Sequence, residues 1–163
     1  MLNSSTQYDL FMKKWSWLLP LTYVFHMVEE HNFGFPTWIA YLVRNDIVPA
    51  SRFLNLDLLF LAGMIIGIGI AIIFPAWRWL GITLAVAIII NPLLHLIGSA
   101  KTLAYSPGMV TGSLIWLPLG GYVLFQAYKH RETSRFALGV ITGIIASVII
   151  NGAFLIAARW PTG

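Results

Sequence analysis

Cysteine is absent from the 163 residues, which excludes a disulfide framework and every thiolate metal site and leaves the redox compartment unmarked. Charge is almost as scarce. Only 10% of the residues are charged, ten basic and six acidic, where a soluble domain carries about a quarter. The solvated shell of an ordinary globular protein cannot be built from so few. The net charge of +4 is spread singly or in short groups between oily runs, as loop anchors are, so no nucleic-acid footprint is present. What is abundant is apolar: 58% hydrophobic residues and a mean hydropathy of +0.79. That composition belongs in a bilayer.

A hydrocarbon core of about 30 Å needs roughly 17 to 25 helical residues to cross it. Five runs meet that length, over residues 15–33, 54–74, 77–97, 109–128 and 136–158, with Trp, Tyr, Lys and Arg at their ends as interfacial anchors. Residues 36–51, bounded by Pro36 and Pro49, are apolar on one side and polar at Arg44, Asn45 and Asp46, a pattern that predicts a short interfacial helix. The expected fold is therefore all-α, a polytopic membrane helix bundle forming one domain over residues 1–163. Nothing resembling a cleavage site follows the first run, so it is read as retained helix, kinked at Pro20. Counting Lys13, Lys14, Arg78, Lys129, Arg131 and Arg135 against Arg44, Arg52, Lys101 and Arg159 puts the N-terminus in the cytoplasm.

The acidic residues are distributed unevenly. Two of the six are adjacent, in the stretch FHMVEEHNFGF from Phe25 to Phe35. At about 100° per residue, Glu29 and Glu30 lie about 60° and 40° to either side of His26, whereas His31 points away and reads as interfacial. Alternate spans end on the same face of a membrane. The ends of the first, third and fifth spans therefore converge, bringing His26, Glu29 and Glu30 together with Asn91, His95 and Asn151. Asp57, read as an N-cap or first-turn acid, opens the second span there, and the loop TLAYSPGM returns to the same face. Pro107 and Gly108 suit the two central positions of a type II turn. Gly139, Gly143, Ser147 and Asn151, like Gly63, Gly67 and Ala71, form small-residue edges suited to close helix contact within the chain or in a homodimer.

An ionised carboxylate at bilayer depth costs about 2.5–3.5 kcal/mol even on lenient scales, and apart from Arg78 at the very start of the third, none of the five spans holds a Lys or Arg. The remaining counter-charges are a shared proton, an imidazolium from His26 or His95, a metal cation, a cationic substrate, or Arg44, Arg52 or Lys101 dipping in from a loop. His26-x-x-Glu29-Glu30, the later His95 and Tyr105-Ser-Pro107-Gly108 together resemble the HXXEE-domain family of membrane proteins. That family is named for the first motif and marked also by a later histidine and a Tyr-x-Pro-Gly sequence. The resemblance spans about Trp15 to Thr111 and implies a site without implying a reaction.

Three mechanisms fit these residues. In the first, His26, His95, Glu29 and Glu30 supply ligands to a divalent metal, Zn or Fe, in a membrane-embedded enzyme of hydrolase type, with the spare glutamate as general base and Asn91 and Tyr105 assisting. Four histidines in the whole chain are too few for a histidine-rich di-iron centre. In the second, the same acids act without metal in an isomerase or cyclase. In the third, they serve a small proton-coupled transporter or lipid-binding protein. A lipid or other hydrophobic small molecule is the expected partner in each.

Overall fold

The computed structural model describes residues 4–44, 49–130 and 133–159. Helices account for nearly all of them, and there is no strand among the described residues. In chain order, α1 is Ser4–Trp15, α2 Leu18–Asn32, α3 Phe35–Val43, α4 Ala50–Ile73 and α5 Trp79–Thr102. Then α6 runs over Met109–Lys129 and α7 over Thr133–Arg159. Four of these, α4 to α7, are long and apolar enough to cross a membrane.

The first expected span is the exception. It breaks at Ser16 and Trp17, and α2 has only 15 residues, about 22 Å of helix against a core of about 30 Å. Pro20 does not kink it. The ring lies in the first turn of α2, where its missing N–H would have had no partner anyway. The preceding residues form α1, a helix that hydropathy did not indicate. Phe11 and Met12 of α1 are buried, and a Cβ on Gly81 would lie 2.7 Å from Met12 Cε, so α1 docks against the start of α5.

The interfacial helix expected over 36–51 is shorter, ending at Val43 with Arg44 in the left-handed region at φ 58°. Asn45 and Asp46 lie outside the described residues. Helix α4 begins at Ala50 instead of residue 54, with Pro49 as its N-cap. Phe35, Ile39 and Ala40 of α3 are buried, the first two in a small core with Phe53 of α4 and Ala158 of α7. Packing against protein thus fixes α3.

Helix α5 is the spine of the bundle. Its Gly81–Ile88 stretch is buried on all sides, because α6 and α7 both approach it at glycines. A Cβ on Gly139 or Gly143 would come 2.6 Å from Ile82 Cβ or Val86 Cβ, and one on Gly120 2.6 Å from Ile89 Cγ1. Close approach also permits hydrogen bonding between helices, with Thr83 Oγ1 2.6 Å from Thr142 Oγ1. The Gly139–Gly143 edge is therefore occupied within the chain, whereas nothing lies within 4 Å of a Cβ on Gly63.

Candidate metal centre

The last two turns of α2 carry polar groups on three arcs, each meeting a different partner. On the first arc, Glu29 receives the start of α6. The Gly108 and Val110 amides donate to Glu29 Oε1, both at 3.0 Å, and the Thr111 amide donates to Oε2 at 2.7 Å. The first turn of a helix leaves its N–H groups without intrahelical acceptors and carries partial positive charge, so the Glu29 carboxylate caps α6 from another helix. Tyr105 donates its hydroxyl to the same carboxylate. Withdrawal of that hydroxyl from water, together with Glu29 beside it, raises the Tyr105 phenol above its usual range, so it remains a donor at neutral pH.

On the second arc, Glu30 faces two imidazoles. Its Oε1 lies 3.5 Å from His26 Nε2 and 3.3 Å from His95 Nε2, and all three residues are buried. The opposite ring nitrogens are held by hydroxyls: His26 Nδ1 is 2.8 Å from Thr111 Oγ1, and His95 Nδ1 is 2.8 Å from Ser106 Oγ. His26 is further fixed by Trp116, whose ring stacks on it at 4.1 Å between centroids. Both Nε2 atoms are thus aimed at one carboxylate oxygen, and His26 Nε2 has no hydrogen-bond partner.

The ligating atoms of His26, Glu30 and His95 all lie within 4.8 Å of one another. A tetrahedral site with bonds of 2.0–2.1 Å has ligand–ligand edges of about 3.3 Å, which the two imidazole–carboxylate separations approach. Hydroxyls hydrogen-bonded to the far ring nitrogens are the arrangement that orients metal-bound histidines. Donor chemistry, spacing and the orphaned nitrogen all fit a divalent cation.

Tyr105-Ser-Pro-Gly closes over this cluster. The Met109 amide bonds the Ser106 carbonyl at 3.0 Å, and Gly108 has φ 94° and ψ −14°, as the third residue of the expected type II turn requires. A Cβ on Gly108 would lie 2.7 Å from His26 Cε1, 2.9 Å from His95 Cε1 and 3.1 Å from Glu30 Cγ. Glycine is thus needed here twice, for its backbone angle and for the closeness of the triad. Just beyond, α6 contains a π-helical stretch over Gly112–Trp116. Residues five apart diverge by about 140° on an α-helix. The wider i→i+5 register brings Thr111 and Trp116 onto the same histidine.

The third arc leads to Asp57. Far from opening its helix, Asp57 sits two turns inside α4 and is 2% exposed. Tyr23 donates its hydroxyl to Asp57 Oδ1 at 2.7 Å, and His31 Nε2 lies 3.0 Å from Oδ2. The earlier start of α4 moved Asp57 inward, and His31, expected to face away, meets it there.

A cavity of about 460 Å³ opens beside the triad. Tyr23, His26, Glu30, Asp57, Asn91, His95 and Asn151 form its polar wall, and Phe35, Trp38, Phe60 and Phe154 stand among its apolar lining. Asn91 contributes an Oδ1 with no partner. Glu29 and Tyr105, expected on this cavity, do not line it, because the loop clasp has engaged them. Lys101 does line it: α5 continues to Thr102, so this cation rides on a long helix and not on the loop expected after residue 97. Arg159 lines it as well, whereas Arg52 bonds the Ala157 carbonyl at 3.4 Å. Ser106, Thr111 and Trp116 escaped sequence reasoning. A hydroxyl or an indole in an oily run carries no local sign that a histidine will be its partner.

An all-α bundle with four potential membrane-crossing helices and a buried His–Glu–His cluster under a Tyr-x-Pro-Gly loop defines the class of protein. Residues 17–123 match the family described as "protein of unknown function with HXXEE motif", and the chain belongs to that family. No curated protein and no solved structure matches it. The three sequence marks of the family resemblance, separated along the chain, meet here at one point.

Proposed function

We propose that this protein is a membrane-embedded, metal-dependent hydrolase acting on a lipid-like substrate. The observation that supports it is the position of His26, Glu30 and His95, buried at the polar wall of a cavity that is otherwise apolar. A bound Zn or Fe ion would lower the pKa of a coordinated water and polarise an ester or phosphate oxygen. The chain's own groups have separable tasks. His26 and His95 present Nε2 because Thr111 and Ser106 hold their other nitrogens. Glu30 supplies the one negative charge of the ligand set, leaving net positive charge to favour a developing oxyanion. Glu29, expected as general base, is committed to the α6 N-terminus. Asp57 takes that task in this reading, as the other carboxylate on the cavity wall, and Asn91 orients the substrate carbonyl.

A metal-free acid–base enzyme is the second reading, favoured by the 3.3 Å separation of His95 Nε2 and Glu30 Oε1, at which a proton alone can join the pair. Elemental analysis of untagged, purified protein separates the two. The metal reading expects about one Zn or Fe per chain. Metal should be lost in His26→Ala, His95→Ala and Glu30→Gln and kept in His130→Ala at the opposite end of α6. Hydrolysis of a chromogenic long-chain acyl ester should fall by at least about 100-fold in the first three. Active wild-type protein without stoichiometric metal would leave the second reading.

A further inference from the structure

The cavity is asymmetric in charge. Its titratable wall, from His26 to Asp57, is buried, whereas Lys101 and Arg159, which line the same cavity from the last turns of α5 and α7, are exposed. Neither cation has an anionic partner among the described residues, and the Arg52 guanidinium nearby is turned to the Ala157 carbonyl. Between metal centre and cations the wall is apolar. Trp38 sets the edge of its ring against α5 there, its Cη2 2.5 Å from where a Cβ on Gly98 would stand, and its indole N–H has no partner. Lys101 follows His95 by six residues, about 9 Å of helix rise. The cavity's 460 Å³ is about fifteen water-sized groups, the scale of one acyl chain.

Resting on the reading of this cavity as a substrate site, we propose that it takes a single-chain anionic lipid. The phosphate headgroup is held by Lys101 and Arg159, the chain lies against Phe60, Leu94 and Phe154, and the acyl ester rests over His26, Glu30 and His95. Lys101, about 9 Å of helix rise above the ligating His95, and Arg159 on the same cavity match an anion joined to an ester by a short polyol. A neutral or zwitterionic lipid would leave both uncompensated or meet them with its own cation. Hydrolysis in this pose consumes one water: the acyl C–O bond breaks, a carboxylic acid forms, and a proton passes to the leaving polyol oxygen.

The test uses non-hydrolysable ether lipids, so that binding is read apart from turnover. Purified wild-type protein in phosphatidylcholine nanodiscs is titrated with 1-alkyl-glycerol-3-phosphate and with the phosphocholine ether of the same chain length. The expected result is about tenfold tighter binding of the phosphate lipid. In the Lys101→Gln/Arg159→Gln double variant the preference should fall to within about twofold while metal content stays unchanged. Equal affinities in the wild type, or an undiminished preference in the double variant, would overturn the headgroup assignment and leave the metal centre untouched. A preference that persists in protein lacking stoichiometric metal would uphold this proposal while removing the metal reading.

Discussion

Adjacent residues on a helix point about 100° apart, and at Glu29 and Glu30 that angle gives two neighbouring carboxylates different partners. Glu29 accepts three amide hydrogen bonds and the Tyr105 hydroxyl. Glu29→Gln would place an NH₂ donor among donors and forfeit charge-assisted bonds, a loss of about 1.5–3 kcal/mol. Hydrogen exchange should quicken at the 108–111 amides and Tm should fall. Glu30→Gln should abolish metal binding and, compared with metal-free wild type, leave Tm equal or higher, because a buried carboxylate is relieved of its charge. Gly108→Ala combines a left-handed backbone penalty of about 1–2 kcal/mol with a Cβ forced against His26, His95 and Glu30. Reduced thermal stability together with lost metal content is the expected outcome, read by calorimetry and elemental analysis. The sequence disclosed His26, Glu30 and His95 because ionisable groups in oily runs are conspicuous. It did not disclose which glutamate faced which partner, since that depends on where the loop after α5 lands, and loop trajectory leaves no periodic trace.

Among the elements, α5 was the easiest to read and the most consequential. Its long apolar run was evident, and the Gly139–Gly143 spacing already marked a partner face. Gly143→Leu should cost more than about 2 kcal/mol by overpacking against Val86 and the Thr83 carbonyl. The same change at Gly63 or Gly152, where nothing lies within 4 Å of a Cβ, should leave thermal unfolding in detergent nearly unmoved. The short elements were harder. Helix α1 lies outside the oily runs, and among its described side chains Phe11 and Met12 are the buried ones. The length of α2 was overread because apolar residues continue through Trp15 and Trp17 while the helix does not. The π-helical stretch of α6 has no composition signal, although it is what aligns Thr111 and Trp116 on His26.

For the whole molecule, the convergence of helix ends held even though the first helix is too short to span. Asp57, in the N-terminal third of α4, meets His31 at the end of α2, and the start of α6 meets Glu29. The ends of α2 and α5 therefore share one face with the starts of α4 and α6. Cysteines placed singly at 51 and 104 should be labelled by an impermeant maleimide from one side of sealed vesicles, and those at 77 and 129 from the other. Labelling of 51 and 104 from opposite sides would break the arrangement. At the heart of the bundle, His26, Glu30 and His95 are proposed to hold a divalent metal. X-ray absorption at the metal edge of untagged protein tests it most directly. The expected spectrum fits two imidazole nitrogens and light oxygen scatterers at about 2.0–2.1 Å, with the imidazole signal lost in His95→Ala; stoichiometric metal whose spectrum contains no histidine, or no edge at all in folded protein, would contradict it.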